Sequence, residues 1–185
     1  RRKGETYSDK EVATAILTLH SIAGKLRDAR FQSGSISFER PEMKVIVDSA
    51  GKPVDVVQKI SKDANWLIEE YMLLANKEVA TCVTKAMRLK EPTFVYRIHD
   101  QPDFEKVKNL KDFVKHFGYQ MGSVENGRDV ARELNGLLDK AKGKPECGAI
   151  EIMALRTMAR AKYSTDNVGH YGLGFDYYTH FTSPI

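Results

Sequence analysis

The sequence predicts an α+β fold: short antiparallel strands packed with a long central helix and further helices. Three observations carry this. Several stretches place apolar residues at helical spacing over three turns or more. Between them lie β-rich runs joined by short polar turns. Helices and antiparallel strands alternate, without the regular strand–helix–strand rhythm of a parallel sheet.

The first helix is expected from about Asp9 to Arg30, with Val12, Ile16, Leu19, Ala23 and Leu26 on one face. Ser8-Asp9-Lys10-Glu11 has the spacing of a capping box, and Tyr7 with Val12 would staple across it. Gly34 ends that region. Ser35–Glu39 alternates, Met43–Asp48 is β-rich, Ser49-Ala50-Gly51-Lys52 is a turn, and Val54, Val56 and Val57 mark a further strand, so a three-stranded meander is expected.

Ser61 or Asp63 opens the central helix, which is expected to reach about Met87 before Pro92 stops it. Thr93–Ile98 reads as a strand. Phe104, Val107, Leu110, Val114 and Phe117 give the next helix its stripe, with Gly118 as the stop. Gln120–Asp129 reads as a loop. A weaker helical pattern follows through Val130, Leu134 and Leu138, then a basic connector over 140–145. Cys147 to about Tyr163 reads as helix again, and Ser164–Ile185 as loop.

With 185 residues the chain can bury a sizeable core. Its net charge of +4 is compatible with a polyanionic partner without demanding one. No apolar run approaches the about 20 residues that span a bilayer, and no secretory signal is evident. Cys82 and Cys147 lie far apart, without the spacing of a zinc site or a disulfide scaffold, so reduced thiols and a cytoplasmic location are expected. The chain opens on Arg1-Arg2-Lys3-Gly4 and stops at Thr182-Ser183-Pro184-Ile185. It is expected to be an internal piece of a longer protein.

The central helix is apolar around most of its circumference, yet it carries Glu69, Glu70 and Asn76. At about 3.6 residues per turn, Asn65, Glu69 and Asn76 share one line, flanked by Trp66, Leu73 and Ala80 on one side and Met72 and Val83 on the other. Glu70 falls with Asp63, Lys77 and Thr81. Glu69 is therefore expected inside an apolar surface and Glu70 on the solvated face. A carboxylate in such a place needs a partner or a function. Spacing alone leaves open whether Glu69 makes a local salt bridge, caps a loop or serves a site.

No phosphate-binding glycine loop, dinucleotide fingerprint, metalloprotease motif or nucleophile elbow is present, and the aspartates are scattered singly. No metal ligands are assigned within the chain. Gly169–Pro184 is the better candidate for binding. Its glycines allow close backbone approach. Tyr171, Phe175, Tyr177, Tyr178 and Phe181 offer stacking faces, and His170, His180, Thr182 and Ser183 offer donors for phosphate. Stacking faces with phosphate donors are what single-stranded nucleic acid requires. The alternative, which the spacing by itself favours, is that these aromatics are core and the glycines are turns.

Four blocks together resemble the ribonuclease II / ribonuclease R family in its catalytic RNB domain, on the side of the bacterial ribonuclease R type. They are Gly34–Glu39, Asp63–Asn76, Tyr96–Pro102, and a long one from Leu155–Tyr163 through Asn167–Leu173 to Tyr178–Ile185. They cover nearly the whole chain in order. The resemblance implies processive degradation of single-stranded RNA from the 3′ end to nucleoside 5′-monophosphates, with Mg²⁺ held by aspartates activating water. It implies that Glu69 helps to position the terminal nucleotide and that Phe38 clamps the base stack. It also implies that His180–Ile185 approaches an arginine-containing catalytic motif. The metal-binding aspartates are expected upstream of Arg1 and the catalytic arginines beyond Ile185, so the chain by itself is expected to be inactive. The alternative is a non-catalytic RNB-like module that only holds RNA. Single-stranded RNA is the expected partner. Neither a membrane nor an obligate protein partner is expected.

Overall fold

The computed structural model describes residues 9–36, 38, 42–59, 61–86 and 93–182. Its elements run α1 (Lys10–Gln32), β1 (Glu42–Val47), β2 (Pro53–Lys59), α2 (Asp63–Ala86), β3 (Tyr96–Ile98), α3 (Phe104–Lys115), α4 (Gly127–Ala141), α5 (Cys147–Arg156) and β4 (Lys162–Ser164), followed by a 3-10 turn at Tyr171–Leu173. The fold is α+β, as the alternation predicts. The chain divides into two compact units, and the division runs through α1 and α2. One unit comprises Arg1–Leu26 and Phe38–Tyr71; the other comprises Arg27–Ser37 and Met72–Ile185.

In the first unit, Asp9 caps α1: its carboxylate accepts from the N–H groups of Glu11 at 2.9 Å and Val12 at 3.3 Å. The cap is thus Asp9; the expected partners Tyr7 and Ser8 lie outside the described residues. Strands β1 and β2 form an antiparallel hairpin with Val45 opposite Val56. Its turn is held by the Asp48 carboxylate, which accepts from Ala50 and Lys52 N–H at 2.9 Å each. The meander has two strands here. Ser35, Ile36 and Phe38 take no strand pairing, while Ser37, Glu39, Arg40 and Pro41 lie outside the described residues.

Glu69 and Glu70 exchange the places expected of them. Glu70 is buried, 3% exposed, and Glu69 is exposed. The helical angles are right, but the covering element decides which angle is inside. Helix α1 meets α2 on the Tyr71 side, where the Tyr71 hydroxyl donates to the Leu19 carbonyl at 3.2 Å.

In the second unit, α3, α4 and α5 make the apolar core. Leu110, Val114, Val130, Leu134 and Ile150 are fully buried in it. Asp103 caps α3, accepting from Glu105 and Lys106 N–H, and Asn126 caps α4, accepting from Asp129 N–H at 3.0 Å. The pattern through Val130, Leu134 and Leu138 is a full amphipathic helix with six buried residues.

Helix α5 stops at Arg156, short of the expected Tyr163. Thr157 turns the chain: it is buried, its hydroxyl donates to the Ala154 carbonyl at 2.6 Å, and its own carbonyl accepts from Asp103 N–H at 2.9 Å. The chain then enters β4, which pairs antiparallel with β3, setting Arg97 against Tyr163.

Candidate RNA-facing site

The resembling blocks that fall in the second unit converge on the 167–182 segment. Ser35 is fully buried. Its hydroxyl accepts from Arg30 Nη1 at 2.7 Å, and its carbonyl accepts from Asn135 Nδ2 at 2.8 Å. The next N–H, that of Ile36, donates to the Gly172 carbonyl at 3.0 Å. Gly174 allows this approach: its φ is +66°, and a β-carbon there would stand 2.9 Å from the Ser33 carbonyl oxygen. The part of the Gly34–Glu39 block in residues 34–36 is therefore docked on the glycine turn.

His99 is braced between two backbone groups. Its Nδ1 accepts from Gly172 N–H at 3.1 Å, so Nε2 carries the proton and donates to the Ala159 carbonyl at 2.9 Å. Burial lowers its pKa, which keeps this neutral tautomer. His170 stacks edge-on between His99 and Tyr178, with centroids 5.1 Å away in each case. Desolvation first, then the neighbouring His99, pushes its pKa down to about 4.

Asn76, 1% exposed on α2, latches the end of the described chain. Its Oδ1 accepts from Phe181 N–H at 3.0 Å, Thr182 N–H at 2.8 Å and the Thr182 hydroxyl at 3.0 Å, while its Nδ2 donates to the Tyr178 hydroxyl at 3.3 Å. This one side chain orients the backbone that leads to Ser183. Beside the latch, the Tyr163 hydroxyl bonds to His180 Nδ1 at 2.8 Å, and the Arg97 guanidinium lies over the Tyr163 ring at 4.6 Å. Burial and Arg97 both lower the His180 pKa.

The expected site residues therefore divide. Tyr171 and Tyr178 are buried, 9% and 5% exposed, so for these two the core reading holds. The Thr182 hydroxyl is spent on Asn76 and is no donor for phosphate in this arrangement. His170 is mostly enclosed and His180 half-buried. Ser183 lies outside the described residues. Glu69 and Phe38 belong to the first unit, Glu69 exposed and Phe38 half-buried. The open stacking faces are Phe181, 64% exposed, and Tyr163, 44% exposed. Sequence reasoning missed Asn76, Tyr163 and Arg97 as site residues. The signal for Asn76 was present, a polar residue within an apolar helix face; Tyr163 and Arg97 become a pair only through strand pairing.

The chain matches the RNB domain family over residues 2–185. It belongs to that family. This RNB chain is 38% identical over 170 residues to Ribonuclease R 1 of Lactococcus lactis, covering 92% of this chain and 20% of that protein. It thus spans about a fifth of the length of that curated relative. It is similar to the structure of Mycoplasma genitalium RNase R in complex with ribose methylated single-stranded RNA, with TM-score 0.85 and 26% identity over 99% of this chain and 28% of that one. Yeast Ssd1, described as a pseudonuclease, shares the fold alone: TM-score 0.59 and 19% identity over 98% of this chain and 22% of that one.

Among the described residues, no group of three His, Cys, Asp or Glu side chains is placed to hold a metal ion. No described helix is long and apolar enough to cross a membrane.

Proposed function

We propose that this chain is an internal part of the RNB catalytic domain of a processive 3′-to-5′ exoribonuclease, one that hydrolyses single-stranded RNA to nucleoside 5′-monophosphates. Family membership and the ribonuclease R relatives support the reaction class. The observation that carries the local reading is the Asn76 latch. A buried amide with three acceptor contacts to one short segment is built to hold backbone in place. The exposed rings of Phe181 and Tyr163 flank that segment, with Arg97 beside Tyr163. Bases stack on such faces at about 1–3 kcal/mol each without regard to sequence. In this reading the chain supplies stacking faces and a positioned backbone. The Mg²⁺ of the parent enzyme is held by ligands elsewhere, and no chemical step is assigned to the residues described here.

A second reading is a non-catalytic RNB-like module that only holds RNA. The Ssd1 likeness favours keeping it, because the same fold occurs in a protein described as a pseudonuclease. One assay separates the two. The chain, and a longer protein containing it, are incubated with Mg²⁺ and single-stranded 3′-tailed RNA. The proposal expects monophosphate release by the longer protein and none by the chain alone. Release by the chain alone refutes its inactivity, and RNA binding without release by the longer protein favours the second reading.

A further inference from the structure

Asparagine is followed by glycine twice in the chain, at Asn126-Gly127 and at Asn135-Gly136. The pairing matters chemically, because a glycine has no β-carbon to keep its amide nitrogen from closing on the asparagine side-chain carbonyl. The structure puts the two pairs in opposite circumstances. Asn126 is exposed and stands just outside α4 as its cap, with φ −147° and ψ 172°. The Oδ1 of Asn126 accepts from Asp129 N–H at 3.0 Å. Gly127 is the first residue of the helix, where an N–H has no partner within the helix. Asn135 lies in the middle of α4 and is half-buried. Its Nδ2 donates to the Ser35 carbonyl at 2.8 Å, and the Gly136 N–H belongs to the helical ladder.

Packing holds the glycine at 127. A β-carbon there would overlap the Gln101 side-chain oxygen and stand 3.1 Å from Cε2 of Tyr171, which is itself 9% exposed. A larger residue, which would hinder ring closure, is therefore disfavoured, and the reactive pair is built into the seat of α4.

We propose that Asn126 is a spontaneous modification site, deamidated in the folded chain through a succinimide with Gly127, while the fold protects Asn135. The cap bond opens and the backbone turns, so that the Gly127 nitrogen attacks Asn126 Cγ. The N–Cγ bond forms, and the Gly127 proton passes to base in solvent. The Cγ–Nδ2 bond breaks, and Nδ2 takes up a proton and leaves as ammonia. Water then opens the ring. Cleavage of N–Cγ leaves aspartate in an ordinary peptide. Cleavage between the Gly127 nitrogen and the Asn126 backbone carbonyl leaves isoaspartate, with the chain running through Cγ. Base and water are the only co-reactants. An exposed cap bond restrains this sequence by about fivefold. At Asn135 a helix turn within the core must open first, which slows the reaction on the order of a thousandfold or more. The two products differ in effect. Aspartate still caps α4 and adds negative charge at its N-terminus. Isoaspartate adds a methylene to the backbone, loses the cap and shifts Gly127 off its seat against Gln101 and Tyr171.

The test incubates the full chain at mildly alkaline pH, folded and, in parallel, in guanidinium chloride. Mass-spectrometric peptide mapping follows each Asn-Gly pair, and an isoaspartyl methyltransferase measures isoaspartate. In denaturant both pairs are expected to react at similar rates. On folding, Asn126 is expected to slow by less than about tenfold and Asn135 by at least about a hundredfold. Asn126→Ser, which keeps a capping oxygen, removes most of the isoaspartate formed by the folded chain. If folding slows Asn126 as much as Asn135, or leaves Asn135 as reactive as Asn126, the proposal is overturned. Isoaspartate undiminished in Asn126→Ser overturns it too.

Discussion

At the residue scale, Asn76 is the side chain on which the site account rests. Removing it leaves the Phe181 and Thr182 N–H groups without their acceptor and costs about 1–3 kcal/mol. Tyr178→Phe, which loses only the 3.3 Å bond from Asn76 Nδ2, costs less. Urea unfolding of Asn76→Ala and Tyr178→Phe checks the order, and equal losses would deny the latch its role. His170 sets a pH dependence. Its folded pKa of about 4 lies below the ordinary 6.5, so between those values the unfolded chain binds a proton that the folded chain refuses. Stability is therefore lost as pH falls through that window, by up to about 3 kcal/mol from this group. His99 and His180 are shifted the same way and add to the slope. Thermal melts from neutral to mildly acid pH should show a shallower loss for His170→Gln than for the parent. An unchanged slope would place the effect elsewhere. Asn76 and Glu69 look alike in the sequence, as polar residues along one helix line. Which is buried was not legible there, because Asn76 is enclosed by the remote 178–182 segment and that contact is non-local.

At the element scale, what the sequence shows depends on whether the signal is local. The α3 stripe, the Asp48-centred turn and the Gly118 stop are local chemistry and are found where expected. Strands β3 and β4 have three residues each, too few for periodicity, and exist because they pair with each other. The helical reading of 157–163 gives way at Thr157, whose carbonyl is taken by Asp103 N–H, and only 162–164 go on to pair with β3. Two substitutions test the elements. Asn126→Ala removes the α4 cap and is expected to lower stability by about 1 kcal/mol. Gly174→Ala places a β-carbon at positive φ against the Ser33 carbonyl and is expected to cost about 1–3 kcal/mol. Hydrogen exchange at the Ile36 amide reads the second directly, because its bond to Gly172 reports the docked edge. Protection unchanged in Gly174→Ala would mean that the edge does not depend on the close approach.

At the scale of the whole molecule, the family is legible from four sequence blocks, and one residue from each of three of them, Ser35, Asn76 and His99, hydrogen-bonds to the 167–182 segment. The binding surface was harder to read. Aromatic content marked the segment, but only burial separates Tyr171 and Tyr178, which are core, from Phe181 and Tyr163, which are open. The central claim is that this chain meets single-stranded RNA through those open rings and nearby positive charge. The most direct measurement is fluorescence anisotropy of a labelled single-stranded oligoadenylate with the full chain, across a series of salt concentrations and with Tyr163→Ala and Phe181→Ala alongside. The account predicts binding whose logarithm falls linearly with the logarithm of salt, and a loss of about 1–3 kcal/mol for each substitution. No binding at low salt, or binding indifferent to both substitutions, would contradict it.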